Sequence, residues 1–212
     1  MISVTAGASD VVTLEGLHFN RAGGVQFNSG GQLHVVRCSI VGGTAAGIAG
    51  TSFQPNSLSK LSVTDTLISS MGSGGIVINP RSGGSARVNL ERVTVNGNNF
   101  GIRVDGTGSR TGINMTIANS MIGGNSVDGI FATTPGGGPR IQILVKNTAS
   151  VNNDFGIRSI GQGVTVRVSN STVTSNRTGL SFSGGGALLS FGNNEVQANG
   201  ANGAFSGSVA LQ

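Results

Sequence analysis

Tryptophan and tyrosine are absent from this 212-residue chain, and cysteine occurs once. The lone Cys38 excludes an intramolecular disulfide and leaves the compartment open. Its place just after a predicted corner points to a small buried side chain rather than a reactive thiol. With no Tyr or Trp and little Lys, stacking platforms for a nucleic acid are few, and no nucleic-acid partner is expected. No run of about 20 apolar residues is present that could span a membrane as a helix. Charged residues are only 10% and aromatics 4% of the chain, so Ser, Thr, Asn and Gly must carry solubility. The net charge is nevertheless +5.

What the chain has in abundance is glycine, 37 residues, at recurring offsets between apolar strands. Self-similarity is clearest in residues 163–182, GVTVRVSNSTVTSNRTGLSF. A marker position at Asn170 recurs at Gly16, Arg37, Asp65, Arg92, Asn119, Asn147 and Asn193, in steps of 21 to 28 residues. Two residues before it stand Leu14, Val35, Val63, Leu90, Ile117, Val145, Val168 and Phe191. Four before it stand Val12, Leu33, Leu61, Val88, Met115, Ile143, Val166 and Leu189. Apolar residues spaced two apart mark a strand with one buried face.

Three residues past the marker come Phe19, Ile40, Ile68, Val95, Ile122, Val173 and Val196, with Val151 displaced by one as a bulge would do. A Gly–apolar pair then opens a third strand: Gly24-Val25, Gly47-Ile48, Gly75-Ile76, Gly101-Ile102, Gly129-Ile130, Gly156-Ile157 and Gly179-Leu180. Three short strands per repeat, with no helical pattern, predict an all-β solenoid. About eight rungs at ~4.8 Å each make a rod of roughly 38 Å. One domain covers residues 1–212, its rungs falling near 11–31, 32–57, 58–84, 85–111, 112–138, 139–163, 164–186 and 187–212.

Corners require positive φ or close approach, which Gly supplies and Asn tolerates. Two asparagine columns fit this demand: Asn119, Asn147, Asn170 and Asn193 at the marker, and Asn98, Asn125, Asn176 and Asn199 at a second corner, where Asp154 takes one place. Stacked amides at strand spacing can hydrogen-bond along the rod. In the early rungs the marker reads Arg37, Asp65, Arg92, an alternation of sign that favours attraction between neighbours.

This rung pattern, over residues 11 to about 205, resembles the right-handed parallel β-helix of the pectate-lyase-like family. The resemblance implies the right hand, a single-stranded coil, and a secreted or envelope-associated bacterial protein whose precursor carries a signal and an N-terminal cap. Met1-Ile2-Ser3-Val4 enters a strand pattern at once, so the cap is expected to be missing. The last residues read as further strand. Uncovered end rungs expose strand edges, and a homo-oligomer joined through one end is the expected assembly.

The family's catalytic signatures are not present. There is no Asp-Asp pair with Gly-His-Gly and Arg-Ile-Lys, only Gly-Ile-Arg at 101–103 and 156–158. Inverting hydrolysis needs two carboxylates roughly 6.5–9.5 Å apart; Asp105 and Asp128 lie one rung apart near the third strand but at different ends of it. His18 and His34 alternate with apolar neighbours on different parts of the rung, which places them outward and apart. No metal and no cofactor are expected.

The best functional candidate is the outward column of the third strand: Gln26, Ala49, Val77, Arg103, Phe131, Arg158 and Ser181. Phe131 between Arg103 and Arg158 predicts a cation–π stack worth ~0.5–1 kcal/mol; the same arrangement also serves simply to cover the ring with arginine stems. Long nearby loops add Arg81, Arg110, Arg140 and Asp105. An acidic polysaccharide laid along the rod is the expected ligand. The chain therefore reads as a non-catalytic structural or glycan-binding β-helix. A lyase or hydrolase of acidic glycans and a fibre-type adhesin are the alternatives.

Overall fold

The computed structural model describes residues 1–21, 23–43 and 49–210. The chain coils through three parallel sheets, of eight, nine and eight strands, making about seven turns. Each turn contributes one strand to each face. On the first face these run from Val11–Glu15 through Leu58–Thr64, Gly84–Glu91, Ser109–Ala118, Ile141–Lys146 and Val164–Ser169 to Ala187–Ser190. The second face holds three-residue strands such as Met121–Gly123, and the third holds strands such as Phe100–Asp105 and Asp128–Thr133.

The first-face registers put Leu14, Val35, Val63, Leu90, Ile117, Val145 and Val168 in one continuous column. From Val35 onward these side chains are buried in a single core. The marker is a left-handed corner: φ is 67° at Gly16, 49° at Arg37, 51° at Asp65 and Arg92, 50° at Asn119, 49° at Asn147 and 45° at Asn170.

The observed register departs from the expected one in four places. In the last rung Val166 pairs with Leu188 and Val168 with Ser190, so Leu188, not Leu189, is buried, and Phe191 lies past the strand. The corner there slides onto Gly192, φ 84°, which takes positive φ without a Cβ penalty. The slot assigned to a bulged Val151 holds Ser150, paired with Ile122 and Val173 in unbroken register. Its buried hydroxyl is satisfied by donating to the Gly156 carbonyl at 2.8 Å. The Gly47-Ile48 pair lies outside the described residues. The third-face strand of that turn is Thr51–Phe53, so Ser52, not Ala49, stands between Gln26 and Val77.

The fourth correction concerns the second corner, where Asn153, not Asp154, completes the column. Asn98 Nδ2 donates to Asn125 Oδ1 at 3.1 Å, Asn125 to Asn153 at 2.9 Å, Asn153 to Asn176 at 3.0 Å and Asn176 to Asn199 at 3.0 Å. Each of these oxygens also accepts the backbone N–H of the preceding asparagine, at 2.9–3.0 Å. Asn202 closes the series by accepting from Asn199 N and Nδ2 at 3.2 and 3.0 Å. The third-face glycines make room for this ladder: a Cβ on Gly101 would lie 2.5 Å from the Gly129 carbonyl and 2.8 Å from Asn125 Nδ2.

A second internal ladder, not foreseen from the repeat, runs just after the marker through Cys38, Thr66, Val93, Ser120, Thr148, Ser171 and Asn194. Ser120 N donates to Thr148 Oγ1 at 3.4 Å, and Thr148 N donates to Ser171 Oγ at 3.2 Å. Each hydroxyl in turn donates to the carbonyl two residues back, as Thr148 does to Lys146 at 2.9 Å. Cys38 occupies the first place of this column, buried, with its thiol 3.3 Å from the Val36 carbonyl.

The chain opens on the strand Ile2–Thr5, paired with Val25–Ser29. At the other end, where the last residues are expected to continue as strand, little strand remains after Glu195–Gln197. Only Gly207–Ser208 regains the first face, while Phe205 packs on the core and Ser206 Oγ accepts from Leu188 N at 2.8 Å.

Asn125→Ala strips Asn98 of the acceptor for two buried donors, and should lower unfolding stability by about 2–4 kcal/mol. Asn147→Gly, which keeps the left-handed corner and removes only an exposed amide, should cost less than about 1 kcal/mol. Urea denaturation midpoints of the two variants test this, and equal losses would show that the inner ladder carries no special load.

Candidate functional site

Register on the third face brings Val77, Arg103, Phe131, Arg158 and Ser181 into one outward column. The side chains around it form a longer stack than the column alone. Arg103 lies 5.4 Å from the centroid of Phe100, and Phe100 stacks on Phe131 with centroids 6.1 Å apart. Arg158 lies 4.5 Å from the Phe131 ring and 4.5 Å from the Phe155 ring, and Arg177 follows at 5.0 Å from Phe155. Phe131 thus has a phenyl ring on the rung before it and a guanidinium on the rung after. Arg103, expected against Phe131, sits against Phe100 instead.

Every arginine of the stack has its own carboxylate. Arg103 pairs with Asp105 at 3.3 Å, Arg158 with Asp128, and Arg177 Nη2 with Asp154 Oδ2 at 3.0 Å. Asp128 is fully buried, and burial pushes its carboxyl above the ordinary aspartate value even though Arg158 pulls the other way. The hydrogen bond from Arg177 holds Asp154 below that value. Burial raises Asp105 too, but hydrogen bonds from Thr107 and the charge of Arg103 outweigh it, leaving Asp105 lowered. The stack is charge-balanced, and its ring faces are largely spoken for.

Phe100, Asp128 and Phe155 were missed as site residues because they occupy the position just before the glycine of each third strand. Alternation marks the outward residues after that glycine and is silent about the one before it. A list of the residue preceding each Gly–apolar pair would have exposed them.

The loop arginines behave differently. Arg81 donates to Asn28 Oδ1 at 3.1 Å and Gln54 Oε1 at 3.2 Å. Arg110 and Arg140 are exposed where the chain enters the first face, Arg140 beside Gly112 through the bond from Ile113 N to its carbonyl, 2.9 Å. On the same face Lys60 and Arg87 are register neighbours, both exposed. Arg167 donates to Gln142 at 2.7 Å, and Lys146 is exposed at the strand end. None of these cations forms an ion pair among the described residues. The first-face strands from Leu58–Thr64 to Val164–Ser169 contain a single carboxylate, Glu91, which Arg92 engages at 3.1 Å. The marker corner is likewise matched, Arg92 Nη2 to Asp65 at 3.0 Å and Arg37 to Glu15. The excess positive charge of the chain is therefore concentrated on the first face and its entry loops.

Asp105 pairs in register with Thr133, five residues along the strand from Asp128, a separation of roughly 16 Å at ~3.3 Å per residue. That exceeds the span of an inverting pair. His18 and His34 lie on the second and first faces respectively, and among the described residues no three of His, Cys, Asp and Glu come together. Comparison with protein-family models, curated proteins and solved structures finds no match, so any likeness to a known family rests on the coil itself.

The opposite shifts of the third-face carboxylates, Asp128 buried and Asp105 and Asp154 partly exposed, give a signed test. Asp128, raised, contributes stability that is full below the ordinary aspartate value and is lost as pH rises through its own. Asp154 and Asp105, lowered, contribute stability that is present above the ordinary value and is lost as pH falls through theirs. Asp128→Asn should therefore be at least as stable as the parent at pH 7, with the difference shrinking in acid. Carboxyl NMR titration should find Asp128 above and Asp154 below the ordinary range; the reverse order would mean that ion pairing with Arg158 dominates burial.

Proposed function

We propose that this chain is a non-catalytic binding rod that holds an acidic polysaccharide along its first face, in the envelope or exterior of a bacterium as the likeness of the coil implies. The observation that carries the reading is the sorting of charge. On the third face and the marker corner arginines are matched by carboxylates, whereas Lys60, Arg87, Arg110, Arg140 and Arg167 stand unmatched on successive turns. Like charges gathered on one face repel one another, and an anionic chain laid across them relieves that repulsion.

Rigidity supports the same reading. Lys60, Arg87 and Arg167 stand on strands whose register is set by a continuous core and two internal ladders, so little ordering of them is required on binding. Recognition by several separate point charges suits a repeating polyanion better than a single small anion.

The quadruple variant Lys60→Ser, Arg87→Ser, Arg110→Ser, Arg140→Ser should elute from immobilised polygalacturonate at markedly lower salt than the parent. Arg103→Ser and Arg158→Ser, whose charges are matched internally, should leave the elution point nearly unchanged. Release by salt from the parent itself is expected, since exposed charges are screened within about 8–10 Å at physiological ionic strength. Equal retention of the quadruple variant, or release of unsaturated uronate products on incubation with the polymer, would defeat the proposal.

A further inference from the structure

One cavity lies on neither the charged face nor the aromatic stack. It is a groove of about 500 Å³ along the marker corner, running over four successive turns between the first and second faces. One wall is the exposed asparagine column Asn119, Asn147 and Asn170. The other is the outward edge of the second face, Thr94, Met121, Ala149 and Thr172, in register from strand to strand. Met121 is 47% exposed, and the small Ala149 beside it deepens the groove.

We propose that this groove is a binding site for a linear neutral oligosaccharide, separate from the polyanion face and reading a different chemistry. The left-handed corners, φ 45–50°, send the three amides outward in the same direction one turn apart. They are also fixed there: Asn119 Nδ2 donates to Glu91 Oε1 at 2.7 Å, Asn147 Nδ2 to Asn119 Oδ1, and Asn170 Nδ2 to Asn147 Oδ1 at 3.1 Å. Each such bond uses one of two amide hydrogens and one of two oxygen lone pairs. Each of the three asparagine rungs therefore offers a free donor and a free acceptor, already oriented.

Charge is absent from this array. Arg92, the one ionised group lining the groove, is held by Asp65 at 2.6 and 3.0 Å and by Glu91 at 3.1 Å. An anion finds no net positive charge here, and a wholly apolar ligand would leave the amides without partners. A sugar chain meets both walls: its hydroxyls are donors and acceptors at once, matching the amides, and its C–H face covers Met121 and Ala149. The rise of the coil, ~4.8 Å per turn, is close to the length of one sugar ring, so successive rings meet successive amides.

The test is a titration of ¹⁵N- and methyl-labelled protein with neutral hexasaccharides, β-1,4-linked glucan, mannan and galactan. Saturable shifts are expected in the side-chain NH₂ signals of Asn119, Asn147 and Asn170 and in the Met121 methyl for at least one of them, unaffected by salt. Ala149→Trp fills the groove from an outward position and should weaken that binding at least tenfold without lowering the melting temperature. Arg110→Ser with Arg140→Ser should leave it unchanged, which separates this site from the polyanion face. No saturable shift with any of the three sugars, shifts seen only with an extended peptide, or undiminished affinity in Ala149→Trp would each overturn the assignment.

Discussion

A parallel coil must turn three times per rung, and at its corners some backbone N–H groups leave the strand ladder in which they would otherwise be paired. Leaving them buried and unpaired costs ~1–3 kcal/mol each, a sum repeated on every turn. The protein meets this constraint with side chains from the next rung. Asn98, Asn125, Asn153, Asn176 and Asn199 do so at one corner, and the hydroxyls of Thr66, Ser120, Thr148 and Ser171 at the other. Both ladders bracket the three-residue strands of the second face, which are too short to hold register on their own. The aliphatic columns can then stack without slipping.

The same stacking governs the charges. Side chains at equivalent positions on adjacent turns are forced into contact range, so an arginine column must find carboxylates, stack on rings, or remain electrostatically unsettled. The third face takes the first two routes at once, with Arg158 between two phenylalanines and against Asp128. The first face takes the third. A surface that keeps its repulsion is the one where a partner gains most by arriving.

Much of the fold was legible in the chain because strand alternation is a local property. Val35, Val63, Leu90, Ile117, Val145 and Val168 repeat an inward position that tolerates nothing but an apolar side chain, and the marker repeats a backbone twist that favours Asn and Gly. What misled was the choice between adjacent residues. Asn153 and Asp154, Ser150 and Val151, and Leu188 and Leu189 are equally good matches to a repeat whose length drifts. Only hydrogen bonding with the neighbouring turn tells them apart. Ser150, a polar residue in an apolar column, is acceptable because the Gly156 carbonyl is within reach, and nothing within the repeat itself announces that.

The candidate sites were less legible for a related reason. Arg103, Phe131 and Arg158 do share a column, yet the charge of that column is cancelled by Asp105 and Asp128, whose side chains approach from either end of the third-face strands. Conversely Lys60 and Arg87 look unremarkable in the chain and acquire meaning only as unmatched neighbours. The amino-acid order by itself determined that this polypeptide winds into a three-sided parallel coil with left-handed corners, because backbone preference and burial act within a few residues. Which charges cancel, which amides remain free and where a groove opens were decided by tertiary structure, because most of those outcomes depend on distances between groups more than twenty residues apart.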